Sequence, residues 1–381
     1  MSNQALPKTY PNPDLEVIGD NKGKWNHAPY RRYSFQNFNR IFRYGLTYRS
    51  AAVMELIPHE DARIGKLESV QHLVNHPFFN GLCVVNGNRI LYERYARDFT
   101  PQNLHSIQSI SKTMVHLLMG QLLAQGKVKL SDRITNHVPE VAKGYGQATI
   151  QQTLNMDVEN DYSENFADND AEYYYHEEAM GWRLPLDLNN EDTQRKFLPR
   201  IQNTGKYPTS PNVKYKDANT EVLIWLIERV SGKPLRNHLA DIIDAAGIEA
   251  SFAMSCDRDG VPVMDGGGCF TLRDLARYAS IFTRNGVGIN GVQIGNGDWT
   301  RETLKGGVPW EDSTLDGSRY HNHLETDGRG VGHGGYCGQY LYADLTSGTA
   351  VVHFSVTDEK DGICDEHYAK IWAMAQEVTR L

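Results

Sequence analysis

The stretch His105-Ser106-Ile107-Gln108-Ser109-Ile110-Ser111-Lys112 decides how the rest of the chain is read. From Ser109 onward the pattern is helical. Ile110, Met114, Leu117, Leu118 and Leu122 recur at spacings of three and four, and Gly126 stands where a C-terminal cap is expected. Ser109 and Lys112 are three apart at the start of that helix, which predicts side chains on one face. A hydroxyl is a poor nucleophile near neutral pH and needs a base within hydrogen-bond reach. A lysine in a first helical turn feels the positive end of the helix and partial desolvation, and both lower its pKa. The same helix start offers backbone N–H groups to an oxyanion. Taken singly, the pattern also fits an N-capping serine followed by an ordinary surface lysine.

Upstream, Leu82 to Val85 and Arg89 to Tyr95 flank Asn86-Gly87, which predicts a β-hairpin. The first ~65 residues show little periodicity and read as an irregular wrap over a folded body. Downstream, Val222, Leu226 and Val230 share a helix face that Ser231-Gly232-Lys233-Pro234 ends. Thr271-Leu272-Arg273-Asp274 has the form of a capping box before the stripe Leu275, Tyr278, Ala279 and Phe282. Gln339 to Asp344 and Thr349 to Val356 form a second hairpin through Thr346-Ser347-Gly348. A last helix carries Tyr368, Ile371, Trp372, Ala375 and Val378. Strands at both ends with helices between predict an α/β (α+β) fold: an antiparallel sheet built from both termini with flanking helices, plus an inserted, mainly helical lobe. The boundaries expected are 1–112 with 260–381 for the sheet domain and 113–259 for the lobe, with the active site between them.

Composition narrows the function. The 381 residues carry 39 Lys+Arg against 47 Asp+Glu, a net charge of −8, which excludes a nucleic-acid binder held by bulk basic charge. The longest apolar run, 222–227, is far short of the ~20 residues that span a bilayer. Five cysteines are scattered without a C-x-x-C pair, which argues against a disulfide framework or structural zinc; with no secretory pattern at the N-terminus, a cytoplasmic location is expected. Two G-x-G-x-x-G matches, from Gly286 and from Gly330, lack the strand-then-helix context of a dinucleotide site. His321 and His323 near Glu325 and Asp327 read as a solvated polar loop rather than a metal site. No G-x-S-x-G elbow is present. No cofactor and no metal are expected.

The order of S-x-x-K after a hairpin, then Tyr215-Lys216-Asp217-Ala218-Asn219 before a helix, then His333-Gly334-Gly335-Tyr336 near the end resembles serine β-lactamases and penicillin-recognising enzymes of the class C type. Ala179-Met180-Gly181-Trp182, Ala218-Asn219-Thr220, Gly266-Gly267 and Gly338-Gln339 bring the likeness closer to aminohexanoate-dimer (nylon-oligomer) hydrolases, over nearly the whole chain from about Trp25. The resemblance implies a β-lactamase-like fold and a serine amidase or carboxylesterase. Ser109 would be the acylated nucleophile, Lys112 its general base and Tyr215 an acid/base towards the leaving group. The backbone N–H groups of Ser109 and Tyr336 would hold the oxyanion. Acyl transfer through the same intermediate and a non-catalytic penicillin-binding-like role are the alternatives left open.

The resemblance also marks positions expected to face substrate: Asp217, Asn219, Asp265, His333, Gly335, Phe166, Glu177 and Trp182. Several depart from the family pattern. Asp217 replaces the Asn of Y-x-N, and His333 replaces the Lys of K-T-G and offers a β-lactam carboxylate a poor fixed charge. Phe166 and Glu177 stand at a Tyr and an Asp of the nylon-oligomer enzymes, and Asp265 at an Asn. Nine acidic residues from Asp157 to Glu178, without Lys or Arg but interleaved with tyrosines, are expected to favour a cationic group. The partner expected is therefore a small-molecule amide or ester, with no nucleic acid and no membrane, and homo-oligomerisation is left open.

Overall fold

In a computed structural model, residues 24–165, 171–185, 190–205, 211–310, 315 and 317–381 are described. Among them, nine strands form one sheet in the order Ile57–Pro58, Arg89–Tyr95, Phe79–Asn86, Thr349–Ser355, Gln339–Asp344, Gly330–Gly335, Leu324–Thr326, Arg319–His321 and Val308–Pro309. Every pairing is antiparallel except the short parallel contact of Ile57–Pro58 with Arg89 and Ile90. The central pair joins the two chain ends: Thr349–Ser355 runs against Phe79–Asn86, with Val352 opposite Cys83. Both strands are buried on both faces because helices cover both sides. Leu272–Thr283 buries Leu275, Tyr278, Ala279 and Phe282 on one face, and Asp365–Val378 buries Ile371, Trp372 and Ala375 on the other.

The punctuation of the sequence is visible in the elements. Thr271 accepts a hydrogen bond from the Asp274 N–H at 3.2 Å, and Gly232 closes Asp217–Ser231 at φ 68°. The first hairpin turns differently from the reading of Asn86-Gly87. Asn86 still pairs with Arg89, and the loop is Gly87-Asn88, with positive φ on Gly87 (58°). A glycine in the first loop position suits a II′-type turn.

Two elements fall where none was expected. Phe252–Ser255, within the stretch read as helical, joins Gly45–Tyr48, Gly268–Phe270 and His105–Ser106 in a second, four-stranded sheet. The N-terminal wrap holds a regular helix, Ala28–Gln36, whose Phe35 packs on Trp25 in a cluster that also holds Phe38 and Trp182. A weak apolar period in a short helix leaves little for a sequence pattern to detect. Among the described residues, no helix is long and apolar enough to cross a membrane.

Candidate active site

The small sheet aims the Ser109 segment. His105 and Ser106 pair with Phe270 and Cys269, and the Ile107 N–H donates to Gly268 O at 2.9 Å. Gln108 then adopts φ 48°, an uncommon left-handed conformation for a residue with a side chain, and turns strand into helix at the residue before Ser109. Its amide is held by Ser106 Oγ at 2.6 Å. A 3-10 turn, Gln108–Lys112, precedes the α-helix Thr113–Ala124, in which Met114, Leu117, Leu118 and Leu122 are buried. The strand Gly330–Gly335 of the large sheet closes over this turn. A Cβ on Gly335 would lie 2.5 Å from Ile107 O, so the strand can pass here only with glycine.

Between them lies a cavity of about 460 Å³, bordered by Ser109, Tyr215, Asp217, Asp265, His333, Gly335, Tyr336 and Trp182. Lys112 is fully buried under Ser109. Its Nζ donates to Ser109 Oγ at 3.0 Å, to Asp217 Oδ1 at 2.6 Å and to Asp265 O at 2.6 Å, which uses all three of its protons. Desolvation depresses the Lys112 pKa as expected, but the charges of Asp217 and Asp265 outweigh it and hold the ammonium above its ordinary value. The expectation of a lowered lysine pKa is thus corrected: it counted the helix end and burial and left out two carboxyls from elsewhere in the chain.

Tyr215 stacks on Trp310, with centroids 5.7 Å apart, and its ring lies 4.9 Å from Lys112 Nζ. Burial, reinforced by Asp217, pushes its phenol well above the usual range, with Ser109 pulling the other way. Tyr215 is therefore a proton donor at neutral pH. His333 is buried, with Nε2 3.0 Å from the Tyr320 hydroxyl, and burial and the nearby Lys112 charge push it well below its ordinary value. The position carries no positive charge at neutral pH.

Three expected substrate contacts stand elsewhere or lie outside the described residues. Asn219 faces away from the cavity, accepting from Tyr145 OH at 2.9 Å. Glu177 is fully buried and ion-paired to Arg183, behind the cavity wall. Phe166 lies outside the described residues. Several acidic residues of the stretch find partners elsewhere in the chain. Asp157 and Glu159 face Lys214 at 3.6 and 3.8 Å, Asp161 accepts from the Gln202 N–H, and Asp168 and Asp170 are outside the described residues. Among the described acidic residues of that stretch, Glu164 alone borders the cavity, beside Tyr173.

Glu164 borders the cavity, as expected of the acidic stretch, while the sequence reading missed Glu221 and Glu325 as site groups. Glu164 accepts from the Asp217 N–H, and Glu221 accepts from the Asp265 N–H at 3.0 Å. Burial first, then the neighbouring aspartate, raises both carboxyls well above the usual range. Glu221 lies one helical turn after Asp217, the only local signal for it. His323, read beside His321 as part of a solvated polar loop, is instead buried between Thr220 Oγ1 and Leu154 O, at 3.0 and 3.1 Å. Among the described residues no group of three His, Cys, Asp or Glu is placed to hold a metal ion.

Comparison with known proteins places these features in a family. Residues 80–371 match the Beta-lactamase family. A 6-aminohexanoate-dimer hydrolase of Paenarthrobacter ureafaciens is 28% identical over 290 residues, 74% of this chain and 72% of the relative. A candidate 6-aminohexanoate-dimer hydrolase from Bacillus anthracis superposes with a TM-score of 0.79 at 20% identity, covering 98% of both chains. A D-stereospecific amidohydrolase from Streptomyces aligns over 79% of this chain and 97% of its own, at 16% identity and a TM-score of 0.57. The chain belongs to the beta-lactamase family of hydrolases.

Proposed function

We propose that the protein is a serine hydrolase that cleaves a small amide or ester through an acyl-enzyme on Ser109. The observation that carries this reading is the 3.0 Å contact between Lys112 Nζ and Ser109 Oγ, on the floor of a cavity that Tyr215 also borders. Lys112 rests as an ammonium, so it becomes a base only after a proton passes to Asp217 across their 2.6 Å contact or leaves for solvent. Neutral Lys112 then takes the Ser109 proton as Oγ attacks the carbonyl carbon. The backbone N–H groups of Ser109 and Tyr336 hold the oxyanion. Tyr215, a phenol raised well above its usual range, donates its proton to the leaving group. In deacylation the attacking water gives a proton to Tyr215 and its hydroxide to the acyl carbon. Ser109 Oγ then leaves with the proton held by Lys112.

The cavity wall supports small amides or esters over β-lactams, because a neutral His333 stands where a fixed cation would grip a ring carboxylate. Slow or absent nitrocefin turnover is the expected consequence. The test is mass spectrometry after brief incubation with a 4-nitrophenyl ester. The intact chain should gain one acyl group, mapped to Ser109, and Ser109→Ala should gain none. Acylation at another residue would overturn the reading.

A further inference from the structure

The turn that carries Tyr336 is held in a conformation its sequence does not favour. Gly335-Tyr336-Cys337-Gly338 joins the strands Gly330–Gly335 and Gln339–Asp344, and the Gly338 N–H closes it on Gly335 O at 3.1 Å. Cys337 stands at φ 68°, a left-handed conformation that turns usually give to glycine or asparagine. Such a turn keeps one geometry only where its surroundings hold it there. The peptides around Tyr336 are held one by one. The Gly334 N–H donates to Glu325 at 3.1 Å, and Gln339 Nε2 donates to Tyr336 O at 3.0 Å. Between them lies the Gly335–Tyr336 peptide, whose N–H is the proposed oxyanion donor.

Tyr368 grips that peptide. It belongs to the last helix, Asp365–Val378, and its spacing groups it with the apolar stripe of Ile371 and Trp372. Its ring packs over Gly334, where a Cβ would lie 3.4 Å from it. Its hydroxyl does more than pack. The hydroxyl donates to Gly335 O and accepts from the Gly338 N–H at 3.0 Å, so its proton and a lone pair are both engaged by the turn. Burial pushes the phenol well above its usual range, which keeps the proton on the oxygen at neutral pH. In a planar trans peptide the N–H points opposite to the C=O. A hydroxyl fixed on Gly335 O therefore fixes the direction of the Tyr336 N–H. By polarising the amide it also makes that N–H a stronger donor.

We propose that the Tyr368 hydroxyl is the positioning group of the oxyanion site, aiming the Tyr336 N–H at the reacting oxygen through the peptide that Gly335 and Tyr336 share. This role rests on the acyl-enzyme reading above. A donor aimed in advance needs no reorientation as negative charge develops, whereas a ground-state carbonyl gains little from it. The signature of Tyr368 is thus a loss of rate without a loss of substrate binding.

The experiment compares the wild type with Tyr368→Phe, which removes one oxygen and leaves the ring over Gly334. Single-turnover acylation by 4-nitrophenyl butyrate gives a rate and a half-saturating concentration, below the melting temperature of each protein. Calorimetry gives the affinity for phenylboronic acid, whose boron bonds to the Ser109 oxygen as the serine proton is released, setting a boron hydroxyl at the oxyanion position. In Tyr368→Phe the acylation rate and the boronate affinity should each fall by about tenfold or more, with the half-saturating concentration within about twofold. Tyr368→4-aminophenylalanine keeps a donor at the same ring position and should bring the rate back to within about threefold of wild type; it also decides the matter if the phenylalanine variant does not fold. A wild-type rate in Tyr368→Phe, a loss confined to the half-saturating concentration, an unchanged boronate affinity, or no recovery with the amine would each overturn the proposal. A wild type that is never acylated at Ser109 would reject the acyl-enzyme reading and this role with it. An acylated wild type beside an unaffected variant would reject the role of Tyr368 alone.

Discussion

Two acid-rich regions of this protein behave in opposite ways. At Asp157, Glu159, Asp161 and Glu177 the carboxylates have partners: Lys214 faces Asp157 and Glu159, Gln202 covers Asp161, and Arg183 pairs with Glu177. On the cavity floor a single buried lysine faces Asp217 and the Asp265 segment, while Glu164 and Glu221 bind the backbone of those two aspartates. The first region is the more acidic in sequence and the less reactive in structure. Charge that has found partners is solvated or paired and does little else. Charge left short of partners, in a buried place, shifts protonation states and can act on a ligand.

The largest effect expected on this contrast comes from Ser109→Ala. Loss of the nucleophile should lower ester or amide kcat/KM by about 10⁴-fold or more, with the fold retained, since Ser109 is only partly buried. Steady-state rates beside a circular dichroism melt check both halves, and a rate near wild type would remove the mechanism. Next in size is Lys112→Ala. The rate should drop by about 10²-fold or more, and the melting point should fall as well, because Asp217 would lose its buried counter-ion at a cost of about 3–5 kcal/mol. Full activity in this variant would assign the base to another group.

Asp217→Asn sharpens the comparison from the acid side. Asp217 is the leading charge that holds the Lys112 ammonium above its ordinary value against burial. Without it, burial gains weight and the lysine gives up its proton at lower pH. The rising limb of kcat/KM against pH should therefore move to lower pH, by about one unit or more. A limb that stays in place would show that it does not report Lys112. The smallest effect belongs to the rim. Lys214→Ala breaks two long ion pairs, at 3.6 and 3.8 Å, and should change stability by less than about 1 kcal/mol and leave kcat/KM within about twofold. An effect as large as that of Lys112→Ala would erase the distinction between floor and rim.

Much of the frame was legible in the residues. The stripes of Leu275, Tyr278, Ala279 and Phe282 and of Ile371, Trp372 and Ala375 are buried as their spacing predicts. The strands around Gly87 and Gly348 pair as hairpins. Ser109 and Lys112, three apart, do meet, at 3.0 Å. Asn219 and Glu177 went astray for one reason: an analogy of position says which element a residue rides on, but the packing of that element decides its face. Asn219, two residues past Asp217 on the same helix, points to Tyr145 while Asp217 reaches the cavity. Glu177 is turned inward to Arg183.

What the sequence determined by itself is therefore whatever depends on neighbours a few residues away: helix faces, caps, the glycine turns, and the Ser109–Lys112 pair on one turn. What only the tertiary structure decided is the electrostatic state of that pair. Asp217 and Asp265 lie more than a hundred residues from Lys112 in the chain, yet Asp217 Oδ1 and the Asp265 backbone carbonyl each stand 2.6 Å from its nitrogen. Local rules predicted a lysine depressed by burial and a helix end. The fold reverses that sign, because desolvation is the largest single influence on the buried lysine but the acidic groups brought to it from elsewhere in the chain, Asp217 first, together outweigh it.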